Sequence, residues 1–154
     1  MPVLIDGNNL LFAAQQHGPE PPIGRTQLCE IVGNWSRRTG ERVHVVFDGP
    51  EPSPQRAEQV ADPDIDVSYS RDVSADEVLI ELINRDSAAR RLRVVSSDRE
   101  IAAAAKRRRA TPVRSDEFWF EMCRLLARPP RKPLHPAEKY EGAMSDEDVD
   151  AWMK

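Results

Sequence analysis

Cysteine is nearly absent: Cys29 and Cys123 are the only two in 154 residues. Both lie within apolar helical patterns, which excludes a disulfide-built scaffold and fits a reducing, cytoplasmic compartment. Histidine is as scarce, and His17, His44 and His135 share no spacing. No zinc site can be composed from this Cys/His set, and no catalytic role falls to a histidine. No stretch approaches 18 consecutive apolar residues, which excludes a membrane-spanning helix of ordinary length. The opening Met-Pro-Val-Leu-Ile-Asp lacks a basic segment followed by a long apolar one, so no signal peptide is expected. No G-x-G-x-x-G follows the first apolar run, which excludes a dinucleotide-binding domain.

What is present suffices for one core. At 154 residues and 40% apolar content the chain is expected to form a single domain. A net charge of −4 argues against a protein that coats nucleic acid, yet the charge is uneven. From Lys106 to Lys132 nine basic residues face only Asp116, Glu117 and Glu121, whereas Glu141–Lys154 is acidic. A locally basic surface on an acidic protein suits a polyanion docking on one side.

Short apolar runs alternate with helical stripes. Strands are expected at Pro2–Ile5, Val43–Phe47, Ile65–Tyr69, Leu92–Val95 and Thr111–Arg114. A first helix is expected from about Leu10, with Asn9 as its cap. Leu28, Ile31, Val32 and Trp35 form a second helical stripe, with Trp35 in the core. Ser74-Ala75-Asp76-Glu77 reads as a capping box, with Glu77 its reciprocal member. Further helices follow through Ile101–Lys106 and from Ser115-Asp116-Glu117, the latter capped by that acidic triplet. Gly49–Pro54 reads as a loop. The domain is expected to span residues 1–127. Residues 128–154 read as a Pro-rich, acidic tail with a short helix carrying Val149, Trp152 and Met153.

This order predicts an α/β fold with a mainly parallel sheet between two helical layers. In such sheets the functional crevice lies outside the carboxyl ends of the strands. Acids gather there: Asp6 after the first strand, Asp48 after the second, Asp98 after the fourth, Asp116 after the last, and Asp76 opening a helix. Each alone is explained by helix capping, since Asp and Ser are favoured N-caps and the helix dipole favours anions. Several on one rim are not. Carboxylates ~4 Å apart repel by roughly 4 kcal/mol at an effective dielectric near 20. Oxygen ligands without His or Cys select Mg²⁺ or Mn²⁺, which suits metal-assisted phosphodiester hydrolysis.

In this order and spacing, Asp6-Gly7-Asn8-Asn9, Asp48-Gly49, Ser74-Ala75-Asp76-Glu77 and Ser96-Ser97-Asp98 resemble the YacP-like group in the NYN branch of the PIN-like nucleases. The resemblance runs from Val3 to about Leu126, and Ser145–Trp152 resembles the group's acidic terminal segment. It implies a Rossmann-like three-layer α/β/α PIN-like (NYN) fold and a metal-dependent endoribonuclease. Asp6, Asp76 and Asp98 would be the catalytic acids, and these with Asp48 the metal ligands. Family members act on messenger RNA at the ribosome, so RNA, mRNA and the ribosome are implied partners.

Candidate substrate contacts are Asn8, Ser97, Lys106, Arg107 and Arg108, with Phe118 and Trp119 as base-stacking candidates. Arg109 continues the basic run. A non-catalytic RNA- or ribosome-binding module is the competing expectation. A phosphoacceptor receiver domain is disfavoured, because Asp6 lacks an acidic neighbour and Arg114-Ser115 stands where a lysine is needed.

Overall fold

Alternation along the first strand decides the layering. In the computed structural model, which describes residues 1–60 and 62–128, β1 (Val3–Asp6) sends Val3 and Ile5 into one hydrophobic cluster and Leu4 into another. Strand β2 (Val43–Phe47) repeats this, with Val43, Val45 and Phe47 on the first face and Val46 on the second. The first face is covered by α1 (Gly7–His17), α2 (Arg25–Thr39) and α6 (Ser115–Ala127), through Leu10, Leu28, Val32, Trp35, Phe118 and Met122. The second face is covered by α4 (Ala75–Arg85) and α5 (Arg99–Arg107), through Leu79, Ile83, Ile101 and Ala104. The three-layer α/β/α expectation holds.

With β3 (Asp66–Tyr69), β4 (Arg93–Val95) and β5 (Thr111–Val113), the strands form one parallel sheet in the order β3-β2-β1-β4-β5. The chain runs outward from β1 to β3, then crosses to the other side of β1 for β4 and β5. The direction therefore reverses between β1 and β4, where such sheets open their crevice. All strands being parallel, every strand-end residue faces one rim.

Several local expectations are corrected. Helix α1 begins at Gly7, not Leu10, and its N-cap is Asp6, whose side chain accepts from Asn9 N. Gly7 is required by close approach: a Cβ there would lie 2.6 Å from Phe47 Cδ1. Helix α6 has Arg114 at its N-cap, with no side-chain cap bond, and Ser115 already helical. Phe118 and Trp119 are both buried, so neither is available to stack on a base. The loop read as ending at Pro54 passes there into α3 (Pro54–Val60), with proline at the first helical position, where its missing N–H costs nothing. The tail assigned to residues 128–154 lies, from 129 on, outside the described residues. Among the described residues no helix is long and apolar enough to cross a membrane.

Candidate metal centre

Two helices start side by side on the rim. Helices α4 and α5 pack against each other on one face of the sheet, and both N-termini point to the carboxyl ends of the strands. The Ser74 capping box fixes the start of α4: Ser74 Oγ accepts from Glu77 N at 3.1 Å, and Glu77 Oε2 accepts from Ser74 N at 3.5 Å. Glu77 is spent in that box, as expected, and Asp76 is left to face α5. Asp98 caps α5, its Oδ1 accepting from Glu100 N at 2.8 Å and Ile101 N at 3.3 Å.

One carboxylate oxygen each from Asp76, Asp98 and Glu100 lie within 4.8 Å of one another. At that separation each ionised pair repels by roughly 3–4 kcal/mol at an effective dielectric near 20, before salt screening. The positive ends of two helix dipoles offset part of this. The rest appears as a proton held more tightly: burial first, then the charges of Asp98 and Asp6, push the Asp76 carboxyl up to about 6. Three hard oxygen donors, with no His or Cys in the group, fit Mg²⁺ or Mn²⁺.

Asp6 and Asp48 stand outside that triplet. Asp6 is 3% exposed at the end of β1, and its Oδ2 accepts from Ser96 Oγ at 3.0 Å. Burial raises its pKa against the hydrogen bonds from Ser96 and Asn9, and the charges of Asp98 and Asp48 raise it further. Asp48 is used structurally on one oxygen: Oδ1 accepts from Ala75 N at 2.9 Å, at the first turn of α4, and from Ser70 Oγ at 3.3 Å. Arg25, stacked 4.6 Å over Phe47, donates to the Asp48 carbonyl and brings positive charge to the rim.

The asparagines and Ser97 lace the rim together. Asn8 Oδ1 accepts from Asp48 N at 2.8 Å, joining the ends of β1 and β2. Asn9, expected as a cap, instead joins three strand ends, its Oδ1 accepting from Ser97 N and Ser115 Oγ at 3.0 and 3.3 Å. Ser97 Oγ in turn accepts from Ser115 N at 3.2 Å.

The basic run is elsewhere. The nine residues of α5 cover about 13 Å, so Lys106, Arg107 and Arg108 lie at the opposite end of that helix from Asp98. Arg108 donates to the carbonyls of Ile83 and Asp86, pinning the end of α4.

Two features were not singled out from the sequence. Glu100 joins the triplet, its only signal being the spacing of two from Asp98 at a helix start. Phe12, 60% exposed on α1, borders a groove of about 470 Å³ that runs from Asp98 and Ser97 past Gln16 to Arg114 and Asp116. Arg114 and Asp116 pair at 3.4 Å in its wall.

No curated protein matches the chain. A solved structure of a mutant of Rae1 (YacP) from Bacillus subtilis matches with a TM-score of 0.62 at 22% identity, covering 82% of this chain and 77% of that one. Another structure of that protein matches with a TM-score of 0.61 at 21% identity, covering 82% and 75%. At such identity these establish the shared fold. The family assignment comes from sequence: residues 3–152 match the YacP-like NYN domain. With nearly the whole chain included, the protein belongs to the YacP-like NYN domain family of the PIN-like nuclease superfamily.

Proposed function

We propose that this protein is a divalent-metal-dependent endoribonuclease that hydrolyses RNA phosphodiester bonds, with mRNA at the ribosome as its substrate and the cytoplasm as its compartment. The observation that carries the proposal is the oxygen triplet of Asp76, Asp98 and Glu100 at the rim of a nuclease-family fold. Membership of a nuclease family supports the substrate class; mRNA and the ribosome follow from the family resemblance alone. The two thiols, Cys29 buried and Cys123 exposed, are both unpaired, which supports a reducing compartment.

Asp76, Asp98 and Glu100 would hold the ion, with Asp6 behind them adding negative charge, and Asp48 at the edge of the set. A bound Mg²⁺ or Mn²⁺ would supply an activated water and charge stabilisation for the leaving oxygen. The chain's own residues do the rest. Ser96 and Asn9 hold the Asp6 carboxylate in place, and the backbone amides of Glu100 and Ile101 orient Asp98. Asn8 and Ser97 stand at the rim, where an RNA strand must pass. The groove beside Asp98 offers Phe12 as a platform for one unstacked base and Arg114 for a neighbouring phosphate.

The test is incubation of the full chain with single-stranded RNA, and in parallel with mRNA-programmed ribosomes, in Mg²⁺ or Mn²⁺. Internal cleavage that disappears in EDTA and in Asp76→Asn and Asp98→Asn is expected. Cleavage surviving EDTA or both substitutions would overturn the proposal. RNA or ribosome binding without cleavage in either assay would assign the protein to the non-catalytic alternative.

A further inference from the structure

The arginines at the amino ends of the sheet form a site of their own. A single 3-10 turn, Ala89–Arg91, leads into β4, and the end of α5 leads into β5. Because β4 and β5 are paired and parallel, these two lead-ins are neighbours on the rim opposite the acids. Between them lies an open groove of about 410 Å³ lined by Arg90, Arg91, Arg107, Arg108, Arg109 and small residues of the Ser87–Ala89 turn. No carboxylate and no aromatic ring lines it. Among the described residues, no acid forms a salt bridge with Arg90, Arg91, Arg107 or Arg109.

Helix-end electrostatics explains only part of this. Cations are favoured beside the last carbonyls of a helix, which accounts for Lys106 and Arg107. Arg108 is explained by its bonds to Ile83 O and Asp86 O. Arg109 is not explained. It closes a Schellman turn, with Arg109 N donating to Lys106 O and Ala110 N to Ala105 O, at φ +65°. Glycine is the favoured residue at that position, because a side chain there is strained. A guanidinium kept at a strained position, on the wall of a groove already crowded with like charge, points to a ligand that rewards it.

We propose that this groove is a second, non-catalytic docking site that grips the phosphate backbone of a double-helical RNA segment, leaving the strand to be cut at the opposite rim. Guanidinium forks match phosphate oxygens. Single-stranded RNA is held by stacking platforms, which this groove lacks. Helical RNA is recognised through its backbone and shape. The inference rests on RNA being the substrate class, but not on cleavage.

The experiment measures binding of the full chain in EDTA, where no metal-dependent cleavage occurs. The probes are an RNA hairpin of about 16 base pairs and a short unstructured RNA, each followed by fluorescence anisotropy over a range of salt. Arg90→Gln with Arg91→Gln is expected to weaken hairpin binding by about tenfold or more at low salt, and to reduce the salt slope by about 2. Affinity for the unstructured RNA, and its cleavage in Mn²⁺, should be unchanged. Arg109→Gly should raise the Tm while weakening hairpin binding, a pairing that damage to the fold cannot produce. Unaltered hairpin affinity and slope in the double variant would overturn the proposal, as would equal losses for both RNAs. So would poly-glutamate competing as well as the hairpin at equal charge, which would assign the groove to an acidic polypeptide. Absence of cleavage with these binding differences intact would refute the nuclease reading and leave the docking site standing.

Discussion

Ser96 Oγ donates to Asp6 Oδ2 at 3.0 Å across the junction of β1 and β4, and the same hydroxyl accepts from Asp98 N at 3.0 Å. One hydroxyl thus sets the positions of two acids that are 92 residues apart in sequence. Replacing it, as Ser96→Ala, leaves a buried carboxylate short of a donor, which costs about 1–3 kcal/mol. Thermal unfolding should record that loss, and RNA cleavage should fall with it. Asp6→Asn should act differently. It removes a buried negative charge that Asp98 and Asp48 oppose, so stability in EDTA should be kept or raised while cleavage is lost.

Stability without metal should fall as pH rises from about 4 toward about 6. Asp76 has its carboxyl pushed up to about 6 by burial and by its acidic neighbours, and Asp6 is raised as well. In that window the folded state binds more protons than the unfolded chain, so the slope of stability against pH carries a negative contribution from both acids. Asp76→Asn should flatten the slope. Mn²⁺ should raise the Tm above that window and have little effect below it, since protons and the cation compete for the same oxygens. A Tm series across pH, with and without Mn²⁺, in wild type and Asp76→Asn checks this.

Gly7→Ala should damage the site through the fold. The added methyl would meet Phe47 and Val45 at 2.6–2.9 Å, and overpacking of this kind costs about 1–3 kcal/mol. Helix α1 would have to lift from the sheet, carrying Asn8 and Asn9 away from Asp48 and Ser97. Reduced Tm together with reduced cleavage is expected. Unchanged stability would contradict the close packing of α1 on β2.

Phe12→Ala should weaken substrate binding and spare the fold. A stacked base contributes about 1–3 kcal/mol, so KM should rise about tenfold with kcat nearly constant. Phe12→Trp should keep binding. Phe120 is also exposed, but it packs against His17 at 5.0 Å and does not border the groove. Phe120→Ala therefore serves as the control and should leave KM unchanged.

The layered fold and the acidic rim were legible because their signals are local. Apolar runs broken by Asp, and Ser74 spaced three from Glu77, locate strand ends and helix starts without knowledge of the partners. Asp98 was rightly read as a cap. What was not legible depends on contacts between segments. Asp48 stands at its strand end as expected, yet its Oδ1 caps the start of α4, a use visible only once β2 and α4 are neighbours. Glu100 looks like one more acid favoured by a helix dipole until α4 brings Asp76 beside it. Phe12 resembles any apolar residue of an amphipathic helix, and only the covering of its neighbours distinguishes it. Phe118 and Trp119 are adjacent stacking candidates in the sequence, yet both are buried, Phe118 edge-on against Trp35 of α2 at 5.0 Å, a contact visible only once α2 and α6 are neighbours. Where the basic run lies relative to the acids was not legible either: Asp98 caps the start of α5 and Lys106 and Arg107 stand in its last turn, so they face the opposite end of the helix.

The most direct measurement is the anomalous signal of Mn²⁺ in crystals of the full chain grown at neutral pH. A bound ion coordinated by Asp76 and Asp98, with Glu100 at or near the same shell, and lost in Asp98→Asn, is the predicted result. Density at no rim carboxylate, with RNA still cleaved in EDTA by the same preparation, would contradict it.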